Sequence, residues 1–411
     1  MSLSIRELEL RDFRSYREVE LLGLGSMSIF VGPNAVGKTN LIEAIQLCTA
    51  CTSFRNPRPG HLVRFGAERA SSRALLSDGD RRLEVELRAN ELGRSYYLNG
   101  KKRTANSLKG ILPAILFCPD DLNLVKGSSS VRRDQLDLLG SQVSSSYNSV
   151  LRDYIKIVQQ KNRYLKEEVT HAYLMAINEV LARVGAQLFM LRARLANELI
   201  PYVSECYRAI SSSKDEIRLS YIPSWEQDDV AGEPFENLDR DTVEARLLDV
   251  LARRFEEEHR RHRSLFGPHA DKVHFSINSK DASLFASQGQ QRSIVLALKT
   301  AEVLLVRDRL NQNPVLLLDD VMSELDESRR YAFMESIPSE VQTFITATTK
   351  DYFSSASVNR ADVIDLGSIL AESRESNNEE SEITVDAADS NGSSLAELRW
   401  SGAGMGGAKD V

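Results

Sequence analysis

The chain has 411 residues, 42% hydrophobic and 27% charged, which is ordinary globular usage with room for two or three domains and bounds the class but not the function. No charged-then-apolar leader opens it and no apolar run reaches the ~18 residues of a membrane span, so neither secretion nor membrane insertion is expected and the cytoplasm is the default compartment. Its net charge of −7 counts against a nucleic-acid partner only until it is located: residues 371–411 hold nine acidic and three basic side chains, which leaves residues 1–370 at −1 (−7 less −6).

The first informative element is an apolar run, Met27 to Val31, that reads as a buried strand. Gly32-Pro33-Asn34-Ala35-Val36-Gly37-Lys38-Thr39 follows it and fits G-x-x-x-x-G-K-[ST], and Leu41, Ile42 and Ile45 then recur at helical spacing. In that setting the loop amides and the helix N-terminus face phosphate, Lys38 reaches the β- and γ-phosphates of ATP, and the Thr39 hydroxyl ligates Mg²⁺. Cys48 and Cys51 form C-x-x-C on the same helix, but no second pair completes a zinc set, so they read as core thiols, and four cysteines are too few for a disulfide scaffold. Up to about residue 110 the pattern is strand-like, with alternating Leu83-Glu84-Val85-Glu86-Leu87 and a hairpin turn at Leu98-Asn99-Gly100-Lys101.

From 118 to 262 the periodicity turns helical: Leu151, Tyr154, Ile155 and Val158, then Leu174, Ile177, Leu181, Val184 and Leu188. Pro201 and the Asp/Gly/Pro-rich stretch 227–239 interrupt this region, so it is expected to fold back as a compact lid. Basic residues cluster at Arg81-Arg82, Lys101-Lys102-Arg103, Arg132-Arg133, Arg253-Arg254 and Arg260-Arg261-His262-Arg263, each able to neutralise a few phosphates.

Ser287-Gln288-Gly289-Gln290-Gln291 precedes a helical stretch through Ile294, Ala297, Leu298, Ala301, Leu304 and Leu305. Ser287 with Gln290 fits a capping box, and capping alone would account for both. A Ser hydroxyl, the Gly289 amide and a helix N-terminus also make an anion site, which across a dimer interface would close over a neighbour's γ-phosphate. Val315-Leu316-Leu317-Leu318-Asp319-Asp320 is an apolar strand ending in two carboxylates. The first is suited to Mg²⁺ through water and the second to orienting the attacking water. Residues 371–411 are rich in Ser, Glu, Asn and Gly and read as disorder.

These three motifs resemble those of the RecF family, within the ABC-type group that includes the SMC and Rad50 proteins. The likeness extends to Arg11-Asp12-Phe13-Arg14-Ser15-Tyr16, Thr52-Ser53-Phe54-Arg55, Phe117-Cys118-Pro119-Asp120-Asp121-Leu122, Leu124-Val125-Lys126-Gly127 with Arg132-Arg133, and Gly267-Pro268-His269. It covers roughly residues 3–368. The resemblance implies an α/β ABC-type P-loop ATPase head with mixed sheets: 1–117 and 263–370 form the head, 118–262 an inserted, mainly helical lid, and 371–411 an acidic tail.

It further implies an ATP-dependent homodimer that binds DNA at single-strand gaps, assists RecA loading through a RecR-like mediator, and hydrolyses ATP slowly in recombinational repair and replication restart. Asp319 would organise Mg²⁺ and Asp320 would be catalytic, where most ABC-type ATPases carry the longer Glu. Ser287, Gly289 and Gln290 would act in trans, Ser323 and Asp326 would belong to the loop linking the two sites, and Lys126, Arg132 and Arg133 are candidate DNA contacts. Thr346 and Thr348 stand where relatives carry a switch His. An ABC-type subunit serving another partner, such as a transporter, is the alternative.

Overall fold

A computed structural model of the chain describes residues 2–211, 213–225, 238–354, 358–367, 383–386 and 397–400. The chain divides into two compact units, Met1–Pro119 with Val306–Val411, and Asp120–Leu305.

The first unit begins with β1 (Ser4–Phe13), β2 (Tyr16–Leu22) and β3 (Met27–Val31), followed after the P-loop helix Lys38–Thr49 by β4 (Arg69–Ser77), β5 (Arg82–Asn90), β6 (Gly93–Leu98), β7 (Lys101–Arg103) and β8 (Ala114–Phe117). In β1 a register shift between Ile5 and Glu7 resets the alternation, so that Ile5, Leu8, Leu10 and Phe13 all face the core. The hairpin at Asn99-Gly100 closes with Leu98 opposite Lys101, as its turn residues dictate. Strands β12 (Val315–Asp319), β13 (Thr343–Ala347) and β14 (Asp362–Asp365) return from the far end of the sequence to pair in parallel with β3 and β8, in the order β14-β3-β13-β12-β8. β12 and β13 are buried at every position, which is why they read as unbroken apolar runs. The P-loop helix touches both this sheet and the antiparallel one, and accordingly buries ten of its residues, from Lys38 through Thr49. All five parallel strands point their C-terminal ends at one edge, the usual place for a ligand in an open α/β sheet.

The second unit holds the expected helices, Ser129–Val143, Ser145–Lys166, His171–Ser211, Arg240–Arg253 and Phe255–Arg261. Two expectations are corrected here. Pro201 does not interrupt the chain but lies inside the helix His171–Ser211, where Leu199, Val203, Cys206 and Tyr207 pack on either side and outweigh the one lost hydrogen bond. The unit also runs past 262, because β9 (Ile217–Ile222), buried in the middle of the insertion, pairs with β10 (Lys272–Ile277), which in turn pairs with β11 (Lys280–Asp281). The helix His171–Ser211 is, against the reading of the sequence, long and apolar enough by length and composition to cross a membrane. Half of its apolar window is buried in the protein and it carries the buried, ion-paired Arg192, so it is the unit's core helix.

Most of the stretch 227–239 lies outside the described residues, although Asp239 caps the helix after it by accepting from the Thr242 amide. The tail is corrected in part: β15 (Ile383–Asp386) and β16 (Glu397–Trp400) form an antiparallel pair, and β16 adds to β2. The open ladder of an edge strand is what such an addition satisfies.

Candidate functional site

The P-loop connects the end of β3 to its helix through two left-handed residues, Ala35 at φ 65° and Gly37 at φ 106°. A Cβ at Gly37 would meet the Ser15 Oγ and Tyr16 hydroxyl at 2.8 Å, so glycine is required for both conformation and space. Lys38 is 6% exposed, and its ammonium donates to the carbonyls of Gly32 (2.6 Å) and Pro33 (2.9 Å). Burial lowers its pKa, while Asp320 and Asp319 oppose that shift.

Opposite the loop, Asp319 ends β12 and is 5% exposed. Its Oδ1 accepts from the Thr39 hydroxyl at 3.0 Å and the Thr346 hydroxyl at 2.8 Å. Burial pushes the carboxyl up, against those two hydrogen bonds. Asp320 takes a left-handed φ of 53°, unusual for a non-glycine residue, and its amide donates to Thr346 Oγ at 2.9 Å. Its buried Oδ1 has no hydrogen-bond partner among the described residues. Burial raises its pKa, Lys38 opposes this, and Glu324 adds to it.

The expected residues of the P-loop and β12 therefore converge, and they fit a nucleotide with Mg²⁺. Thr39 and Asp319 are paired oxygen donors, in keeping with a metal that takes one or two protein ligands and completes its shell with phosphate and water. An orphaned carboxylate oxygen beside them is suited to a water.

Sequence reading missed the part played by Thr346. It stands directly beside Asp319 in the β12–β13 register, is fully buried, donates to the Asp319 carboxylate and accepts from the Asp320 backbone amide, so it braces the end of β12. Thr348 donates to the Tyr352 hydroxyl. Glu43 was also missed: on the P-loop helix at 0% exposure, it accepts both Arg14 nitrogens at 2.8 Å and the Ser53 hydroxyl at 2.6 Å. That network ties the β1–β2 turn and the Thr52–Arg55 segment to the helix. Ser323 donates to the Asp320 carbonyl, and Asp326 caps the helix Glu327–Ser336; both are exposed. Cys48 and Cys51 are buried thiols pushed up to about 12 by burial, and Cys51 sits beyond the helix end at φ 55°.

In the second unit the helix Gln288–Leu310 starts at an exposed Ser287. The capping box is made in full: the Ser287 amide donates to Gln290 Oε1 at 2.9 Å and the Gln290 amide donates to Ser287 Oγ at 3.2 Å. The capping role is thus observed, and because Ser287 Oγ accepts in it, the hydroxyl proton is not used by this box. Gly289 lies in the helix's first turn.

Arg132 is a correction. At 9% exposure its guanidinium donates to the carbonyls of Leu124, Val125, Gly127 and Val273, so its donors are engaged inside the protein, where they fasten the end of the short helix Asn123–Lys126. Arg133 is half-buried and donates to the Asp271 carbonyl, whereas Lys126 is exposed. In the clusters near 253–263, Arg253 pairs with Asp249 and Arg254 and Arg261 share Glu257, while Arg260 and Arg263 are exposed. Lys101, Lys102 and Arg103 are exposed along the edge strand β7.

The family model described as RecF/RecN/SMC N terminal domain matches residues 4–365. The DNA replication and repair protein RecF of Symbiobacterium thermophilum is 40% identical over 344 residues, covering 83% of this chain and 90% of that protein. A recombination mediator protein solved as RecF-ATP in the RecFOR pathway superposes with TM-score 0.77 at 28% identity, covering 86% and 94%. The Smc head domain of Pyrococcus furiosus, with TM-score 0.50 and 18% identity over 90% of this chain and all of that one, shares the fold alone.

Proposed function

This chain belongs to the RecF family, and from that premise we propose that it is a DNA replication and repair protein of the RecFOR mediator pathway, working as an ATP-gated clamp on DNA. The convergence of Lys38, Thr39, Asp319 and the unpartnered Asp320 oxygen at one edge of the parallel sheet carries this reading. ATP binds along the P-loop amides, with Lys38 leaving the loop carbonyls for the phosphates. Thr39 and Asp319 would hold Mg²⁺, which when bound would supply charge neutralisation of the nucleotide phosphates.

Asp320 orients the attacking water. Its side chain is one methylene shorter than the Glu of most ABC-type ATPases and would sit less closely over the water, so slow turnover is the expectation. Thr346 holds the Asp319 carboxylate and the Asp320 backbone amide, which keeps the end of β12 in place as the site fills.

The exposed Ser287 and its helix N-terminus complete the site of a second copy, which makes ATP the glue of a homodimer; hydrolysis opens it. Ser287→Arg is expected to retain ATP on its own P-loop but to stay single, because a long cation fills the place of the neighbour's γ-phosphate. Size-exclusion with light scattering in ATP tests this, and a wild-type dimer fraction in the variant would remove the trans assignment.

The ATP-bound dimer then binds DNA, with single-strand gaps and RecA loading through a RecR-like mediator as the setting. The exposed cations of β7, Lys126, Arg260 and Arg263 are the candidates for phosphate contact. DNA affinity is expected to need ATP and to fall about 10³-fold between 50 and 200 mM salt for roughly six neutralised phosphates. Fluorescence anisotropy on gapped, duplex and single-stranded DNA checks it; equal binding without nucleotide would count against gating.

A further inference from the structure

We infer that Asp215, in the short link between the long helix His171–Ser211 and β9, is a positioning residue for the trans-acting segment, holding Gln290 so that Ser287 is presented correctly to a second copy's nucleotide. The inference rests on the trans reading above and adds a residue from the helical insertion to it.

The geometry is specific. Gln290 has one acceptor oxygen, which the Ser287 amide takes at 2.9 Å, and its side-chain nitrogen donates to Asp215 Oδ2 at 3.0 Å. Asp215 is itself fixed: its Oδ1 accepts from Asn278 Nδ2 at 2.8 Å, its amide donates to Ser213 Oγ at 3.0 Å, and Asn278 Oδ1 accepts from the Glu216 amide at 2.9 Å. Asn278 is in the β10–β11 turn at φ 50°, so the carboxylate is held between two turns of the three-stranded sheet. Bonds from Asn278, then Gln290 and Ser213, hold its carboxyl below the usual range, so it stays an anionic acceptor.

A capping box does not need a third partner. The carboxylate fixes which way the Gln290 amide faces, with oxygen to the backbone and nitrogen outward. Because the Gln290 amide occupies a Ser287 lone pair, the hydroxyl proton is left to donate. A shift of the insertion that moves the link 212–216 would therefore reorient Gln290 and loosen Ser287. Asp215 is only partly buried, so its contribution to folding is small and its effect belongs to dimer closure.

The test compares wild type, Asp215→Ala, Gln290→Ala, the double variant and Ser287→Arg by light scattering across protein concentration in ATP. Nucleotide binding is measured separately on dilute single chains. Asp215→Ala should raise the protein concentration for half-dimerisation roughly tenfold and lower turnover at saturating ATP, with single-chain ATP affinity within twofold and Asp215→Asn recovering part of the loss. Gln290→Ala should cost at least as much, and the double variant no more than Gln290→Ala alone. Wild-type dimerisation in Asp215→Ala, or an undiminished Asp215 effect in the Gln290→Ala background, overturns the inference while leaving the trans reading standing if Ser287→Arg is monomeric. Should Ser287→Arg dimerise normally, the trans reading fails and this inference with it.

Discussion

Lys38→Ala is expected to lose nucleotide binding by 100-fold or more. Hydrogen bonds to charged groups contribute ~1.5–3 kcal/mol each, and an ammonium bridging two phosphates makes at least two of them, while each ~1.4 kcal/mol is a factor of ten. The opposing effect is the loss of the bonds to the Gly32 and Pro33 carbonyls, which the side chain makes when it is not on phosphate. That loss affects only the loop without nucleotide, where it unpairs a buried Gly32 carbonyl and a part-buried Pro33 carbonyl. Thermal unfolding separates the two. Wild type at 100 times its dissociation constant gains about 2.7 kcal/mol from ATP, whereas a variant at least 100-fold weaker should gain about 0.4 kcal/mol or less, and the difference between the two without ligand reads the lost carbonyl bonds. Lys38→Arg keeps the charge but replaces a compact ammonium with a planar fork, and should recover only part of the affinity. A variant that binds ATP within threefold of wild type would mean that the loop is a strand-to-helix turn with no phosphate role.

The P-loop was legible because a single run of eight residues supplies the turn, the charge and the hydroxyl, and because the strand before it and the helix after it are locally encoded. Asp319 and Asp320 were legible for the same reason. Thr346 was not: its importance arises from β13 lying beside β12, a pairing between segments about thirty residues apart, and nothing local to Thr346 signals it. The same holds for β9, whose partner lies beyond the whole second half of the insertion, and for Pro201, where packing on both sides outweighs the local breaker. Arg132 shows the limit of charge reading. A basic residue has the same sequence signature whether it sits on a surface or fastens carbonyls inside, and only tertiary contacts separate the two.

Arg192→Ala is expected to destabilise the second unit by about 3–5 kcal/mol, the cost of breaking a buried pair by removing one partner. Arg192 is 3% exposed, and its guanidinium donates to Asp137 Oδ1 at 2.8 Å and Oδ2 at 2.6 Å and to the Pro268 carbonyl at 2.5 Å. Truncation leaves Asp137 buried with the Tyr147 hydroxyl as its remaining described donor, and leaves the Pro268 carbonyl without its arginine. This gives the Gly267-Pro268-His269 motif a structural account. Gly267 turns at φ 126°, where a Cβ would meet the Tyr154 hydroxyl at 2.4 Å, and that hydroxyl is 2.7 Å from His269 Nδ1, so the motif is built into the network around Arg192. Lysine at 192 keeps the charge but not the two-pronged contact, and should recover a minority of the loss. Asp137→Leu combined with Arg192→Met removes both charges and should be far milder than Arg192→Ala, since an apolar pair leaves no carboxylate to desolvate. Urea unfolding reads all three against wild type. A loss below about 1 kcal/mol for Arg192→Ala would show that the site opens to water and that the network does not hold this unit. The helix bearing Ser287 begins in the same unit, so the variant should lose ATP-dependent dimerisation at urea concentrations where the wild type still dimerises.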